Sequence, residues 1–145
     1  SDGELVDFLQ RQSLLPVVEA EDKQAIVPGQ ITIAPADYHL LLEKDHFALS
    51  TEAPVSYARP SIDVLFESAA DAYGEQVIGV ILTGASQDGS QGLAKIQSCG
   101  GLTIVQEPES AECRVMPDAA ISAVVRAKIL SLPEIAPFLD NICSF

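Results

Sequence analysis

The sequence predicts an α/β fold: a doubly wound, mostly parallel sheet with helices on both faces and a small antiparallel hairpin. Three observations carry that expectation. Strand-like apolar runs alternate with stretches of helical periodicity. Residues 76–82 (Gln-Val-Ile-Gly-Val-Ile-Leu) lack polar alternation, as a strand covered on both faces does. Glycines and prolines punctuate the junctions. With 145 residues, 48% hydrophobic and 20% charged, residues 1–145 suit a single domain.

The elements follow in order. Leu5, Phe8 and Leu9 share one face of a short helix over residues 4–11. Residues 14–20 and 30–34 read as strands, separated by turn signals at Asp22-Lys23 and Pro28-Gly29. Residues 39–43 and 47–51 flank Lys44-Asp45 as a hairpin or two edge strands, and residues 52–60 form a loop. Ile62, Leu65, Phe66, Ala69, Ala70 and Tyr73 then fall on one helical face, with Ser61 placed as N-cap and Gly74 closing the end. After the strand at residues 76–82 comes a helix bearing Leu93 and Ile96, which stops at Gly100-Gly101. Residues 102–105 form the next strand, Met116-Pro117 opens a helix, and residues 124–130 form another strand. A last helix starts at Ser131-Leu132-Pro133 with Ile135, Phe138, Leu139 and Ile142 inward; Pro137 belongs in its first turn or kinks it.

Charge and composition exclude several functions. Eight Lys and Arg against 21 Asp and Glu give a formal charge of −13, which argues against nucleic acid and against anionic membrane surfaces. No apolar run approaches the roughly 20 residues of a spanning helix, so direct membrane insertion is not expected. Cys99, Cys113 and Cys143 are odd in number and widely spaced, which suits reduced thiols in the cytoplasm. The two histidines, His39 and His46, belong to no metal-binding spacing, so neither a metal nor a cofactor is expected.

In an open α/β sheet, chemistry collects where strands end at their C-termini. The strand at residues 76–82 delivers Thr83-Gly84-Ala85-Ser86-Gln87-Asp88-Gly89 to that edge. There Asp88 either caps the following helix or acts in a site whose backbone N–H groups hold an anion or a developing oxyanion. No Gly-Lys-Ser/Thr follows, so a phosphate-binding P-loop is excluded. Gly-x-Ser-x-Gly is also absent. A Ser86–His39–Asp88 triad is disfavoured, because two residues so close on one loop cannot readily bind opposite nitrogens of one imidazole. His39 is either a pocket residue or a hydrogen-bonded structural histidine.

Taken together, these residues resemble the C-terminal catalytic domain of the bacterial chemotaxis protein-glutamate methylesterase. The resemblance runs through Leu15-Pro16-Val17, Glu19-Ala20, Asp22, Pro28-Gly29, Ile33-Ala34-Pro35 and His39-Leu40. It continues through Arg59-Pro60-Ser61-Ile62-Asp63, Leu65-Phe66, Gly79-Val80-Ile81-Leu82-Thr83-Gly84 and Asp88-Gly89. It closes with Gly100-Gly101, Val105-Gln106-Glu107-Pro108, Met116-Pro117 and Ala120-Ile121. The resemblance implies a serine hydrolase that cleaves glutamate methyl esters, and deamidates glutamines, on a methyl-accepting chemoreceptor. It assigns the triad acid to Asp88 and a backbone oxyanion donor to Ala85. Under the same resemblance, Arg59 either meets the acidic receptor helix or forms a salt bridge at the helix entry, and His39 is a candidate substrate contact.

The departures are informative. The family's nucleophile lies in a Gly-Ala-Ser-Thr-Gly-Gly-like loop and its base in a Gln-His segment, and neither motif occurs in this sequence. The chain thus reads as the family domain without its first strand–helix–strand unit, and on its own it is expected to be inactive. The alternative is a non-catalytic interaction module that keeps the fold. Asp118 stands where the family usually has Arg, Val115 where a Gly often precedes the Met, and Ala85-Ser86 where Met-Gly is common. A receiver or methyltransferase domain in the full-length protein is the further partner that the resemblance implies.

Overall fold

A computed structural model describes residues 2–143. Helix α1 (Asp2–Gln12) leads into β1 (Val17–Glu19) and β2 (Ile31–Ile33), which pair in parallel. An antiparallel hairpin of β3 (His39–Glu43) and β4 (His46–Ser50) follows. The chain continues with α2 (Ile62–Tyr73), β5 (Ile78–Ile81), α3 (Ser90–Ser98) and β6 (Leu102–Gln106). It ends in α4 (Val115–Ala123), β7 (Lys128–Leu130) and α5 (Leu132–Ile142). Strands β5, β6 and β7 form a parallel ladder in that order, so the mixed α/β class and the hairpin are as the sequence predicts. No helix among the described residues is long and apolar enough to cross a membrane.

Helix α2 shows how local rules set the scaffold. Ser61 is extended (φ −106°) and its hydroxyl accepts the Val64 N–H, while Gly74 ends the helix at φ +53°. The face carrying Ala69 and Ala70 is buried. Helix α3 lies so close to α2 that a Cβ on Gly92 would stand 2.5 Å from Phe66 Cβ. Between these helices, α4 and the β5–β6 ladder sits the main core of Ile81, Leu93, Ile96, Val105, Ala120 and Val124. A smaller core of Ala20, Leu40 and Phe47 lies against the hairpin.

The parallel strands fall into two ladders, β1–β2 and β5–β6–β7, and no strand among the described residues joins β1 to β5. Three finer expectations need correction. Residues 76–82 are not covered on both faces. Gly79 and Ile81 are buried on the face that meets Phe66, Leu93 and Ile96, whereas Ile78 and Leu82 on the opposite face are 36% and 42% exposed. The next strand, β6, is the one buried on both sides, from Thr103 through Gln106. The strand expected over residues 124–130 shrinks to β7, with Val124 closing α4 and Val125 exposed. In α5, Ile135 is buried but Ile142 is exposed, and Pro137 lies in the helix interior, past the first turn that Pro133 occupies.

Candidate active site

The loop between β5 and α3 is fixed at both ends by the chain around it. Thr83 N–H donates to Gln106 Oε1 (2.9 Å), a buried amide at the end of the neighbouring strand. The Thr83 hydroxyl donates to Cys113 O and accepts Cys113 N–H, at 3.0 and 2.9 Å. Gly84 is pinned on both sides, with its N–H on Cys113 O and its O accepting Met116 N–H. A Cβ on Gly84 would lie 2.7 Å from Met116 Sδ, so the Met116 side chain packs directly over the glycine. The loop therefore ends in a defined shape.

Asp88 is 3% exposed, and its carboxylate turns to the start of α2 rather than to its own helix. Oδ1 accepts the Ser61 hydroxyl (2.8 Å) and the Asp63 N–H (3.0 Å), and Oδ2 accepts the Ile62 N–H (2.7 Å). The expectation that Asp88 caps the helix it precedes is thus corrected. Gly89, at φ +102°, is the N-cap of α3 and supplies no side chain. The α3 donors are met by Asp63 instead, whose Oδ1 accepts Gly89 N–H (3.0 Å) and Gly92 N–H (2.7 Å). Each helix start is satisfied by an acid from the other, where the helix dipole favours negative charge. A carboxylate has about four acceptor positions, and the contacts to Asp88 use three of them, leaving one on Oδ2.

Ala85 is exposed, and its N–H has no partner among the described residues. Ser86 points back into the loop and accepts the Asp88 N–H at 3.3 Å. His39 is 2% exposed with both ring nitrogens committed: Nε2 meets Ala53 O (2.9 Å), and Nδ1 accepts Ser61 N–H (3.2 Å). It hydrogen-bonds to neither Ser86 nor Asp88, and both ring nitrogens are already engaged. Arg59 forms no salt bridge among the described residues; Nη1 donates to Thr51 O and Glu52 O, at 3.0 and 3.3 Å. Asp118 pairs with Arg114 one turn away (2.9 Å), and this hydrogen bond is the main reason the guanidinium is held above its ordinary range.

Comparison with known proteins decides the family. The CheB methylesterase family model matches residues 1–139. The chain belongs to the CheB methylesterase family. A Leptospira interrogans relative is 49% identical over 137 residues, covering 94% of this chain and 71% of that protein. The Pseudomonas aeruginosa protein-glutamate methylesterase/protein-glutamine glutaminase 3 is 40% identical over 139 residues, covering 95% of this chain and 42% of its own length. Among solved structures, the Thermotoga maritima CheB methylesterase catalytic domain superposes with a TM-score of 0.90 at 32% identity, over 97% of this chain and 76% of that one. The chain is therefore a CheB-type hydrolase domain in sequence and in fold.

Within this CheB domain, Asp63 is the residue that reading by pattern leaves out. It stands in the first turn of α2, where an acid ordinarily faces solvent and favours the helix dipole. Its 6% exposure follows from the close approach of α3 at Gly92. The spacing Gly89-x-x-Gly92, opposite an acid near a helix start, was the available signal.

Proposed function

We propose that this domain supplies the acid and one oxyanion donor of a cytoplasmic Ser-His-Asp hydrolase that cleaves glutamate methyl esters, and deamidates glutamines, on a methyl-accepting chemoreceptor. The nucleophilic serine and the histidine come from a strand–helix–strand unit that joins β1 to β5. In support, β1 pairs only with β2 and β5 only with β6, so each keeps an unpaired edge among the described residues. The observation that carries the reading is Asp88, a buried carboxylate held at a strand's C-terminal end with one acceptor position remaining.

The chemistry follows from that geometry. The remaining Oδ2 position accepts Nδ1–H of the imidazole, which fixes its tautomer and stabilises the imidazolium. The imidazole takes the serine proton as the oxygen attacks the ester carbonyl, and the Ala85 N–H donates to the oxyanion. Methanol leaves with that proton, and water then releases glutamate from the acyl-enzyme. For glutamine the leaving group is ammonia. Asp88 itself stays unprotonated.

The test is methanol release from methylated receptor by the full-length protein. Asp88→Asn is expected to lower kcat by about 10³–10⁴-fold, through the wrong tautomer and loss of the carboxylate. Circular dichroism establishes that the variant is folded. Turnover equal to that of the parent protein removes Asp88 from the mechanism, and no methanol release from the parent protein itself leaves the domain as an interaction module.

A further inference from the structure

The geometry points to Asp63 as a positioning residue of the esterase, one that holds the triad acid in place without touching imidazole or substrate. This inference rests on Asp88 being the triad acid. Asp63 N–H donates to Asp88 Oδ1 (3.0 Å), and Asp63 Oδ1 accepts the N–H of Gly89, the residue next to Asp88 (3.0 Å). These two bonds close a ring through the Asp88 backbone and side chain. The Gly92 N–H (2.7 Å) ties the same Asp63 oxygen to the first turn of α3. Asp88 therefore cannot swing on its loop without breaking contacts at two helix starts, both buried from water, where an unmade hydrogen bond costs most.

The role matters because small displacements of a reacting constellation carry large rate penalties. In the structure, Asp63 is 6% exposed and Asp88 3%, and the two lie on different elements. Positional precision at Asp88 thus comes from α2, far along the chain from the catalytic loop. The ionisable groups facing Asp88 are Asp63 itself and His39, which is reached through the Ser61 backbone. No Lys or Arg side chain pairs with either carboxylate among the described residues.

The experiment uses the full-length protein and methylated receptor, with kcat, KM and the pH profile of kcat measured for Asp63→Ala, Asp63→Asn and Asp88→Asn. Asp63→Ala is expected to lower kcat about 10- to 100-fold with KM unchanged. Its acidic limb should move to lower pH, because a loosened Asp88 stabilises the imidazolium less. Asp63→Asn keeps an acceptor oxygen but not the charge, so a smaller fall, about three- to tenfold, is expected with the limb displaced in the same direction. An unchanged kcat and limb in the folded variants overturns the inference. So does a fall in kcat that tracks the loss of folded protein while the limb stays in place. Where Asp63→Ala does not fold, Asp63→Asn decides by the same criteria. Full activity in Asp88→Asn sinks the triad assignment itself, whereas an inactive Asp88→Asn beside unaltered Asp63 variants sinks only this inference.

Discussion

The paired starts of α2 and α3 and the open edges of β1 and β5 treat polar groups in opposite ways. At the helix starts, two buried acids and one serine account for the N–H groups of Ile62, Asp63, Val64, Gly89 and Gly92, all from within the chain. At the β1 edge, Glu19 keeps a buried carboxylate oxygen with no partner among the described residues. On β5 and just past it, Ile78 and Leu82 remain partly open. A buried polar atom without a partner is costly, and an uncovered strand edge presents unpaired N–H and C=O groups. The contrast separates a region whose helix starts are met from within the chain from one that leaves strand edges and a carboxylate oxygen without partners among the described residues.

The largest effect that contrast predicts is association. The chain on its own should form oligomers or precipitate through its open strand edges, seen as concentration-dependent sedimentation. A monomer that melts cooperatively would break the comparison. Next comes Gly92→Ala in the full-length protein. Its methyl meets Phe66 Cβ and the Asp63 backbone, and overpacking of this kind costs about 1–3 kcal/mol. Thermal melting reads that loss, and a value near zero would mean that α2 and α3 can separate freely. The smallest effect lies outside both regions and calibrates them. Glu134 in α5 is held below the ordinary carboxylate range, first by the Ser131 backbone N–H and then by the Ser131 hydroxyl. A lowered value in the folded state means that the capping box supports α5 above the ordinary carboxylate range and ceases to do so as acid protonates Glu134. Amide exchange in the first turn of α5 should therefore quicken on acidification, whereas in Glu134→Ala it should be fast at every pH.

Much of this architecture is legible from residue order, and the limits are physical. Helix α2 reads directly, because a 3.6-residue apolar face, a serine cap and a closing glycine agree with one another. The hairpin reads nearly as well, with β4 starting at His46 rather than at residue 47. Which strands share a ladder does not read, since pairing partners lie far apart in sequence and the side-chain pattern does not name them. The long apolar run over residues 124–130 misleads for a related reason: Val124 packs onto the core as the end of α4, and only Lys128–Leu130 pair with β6. At the site, Asp88 stands out by its strand-end position. The choice for His39 between pocket and scaffold depends on two backbone groups, at Ala53 and Ser61, that only the folded chain brings to it. The part played by Asp63 is hidden for the same reason.

The mutual locking of Asp63 and Asp88 has an evolutionary corollary. If Asp88 is the triad acid as proposed, selection for a folded domain and selection for ester cleavage bear on the same carboxylate, so drift would not erase it promptly once turnover ceased to matter. In degenerate descendants that have lost the nucleophile, an intact aspartate here would testify to architecture alone. Diagnosing a working hydrolase from sequence must then rest on the proposed serine and histidine rather than on this aspartate.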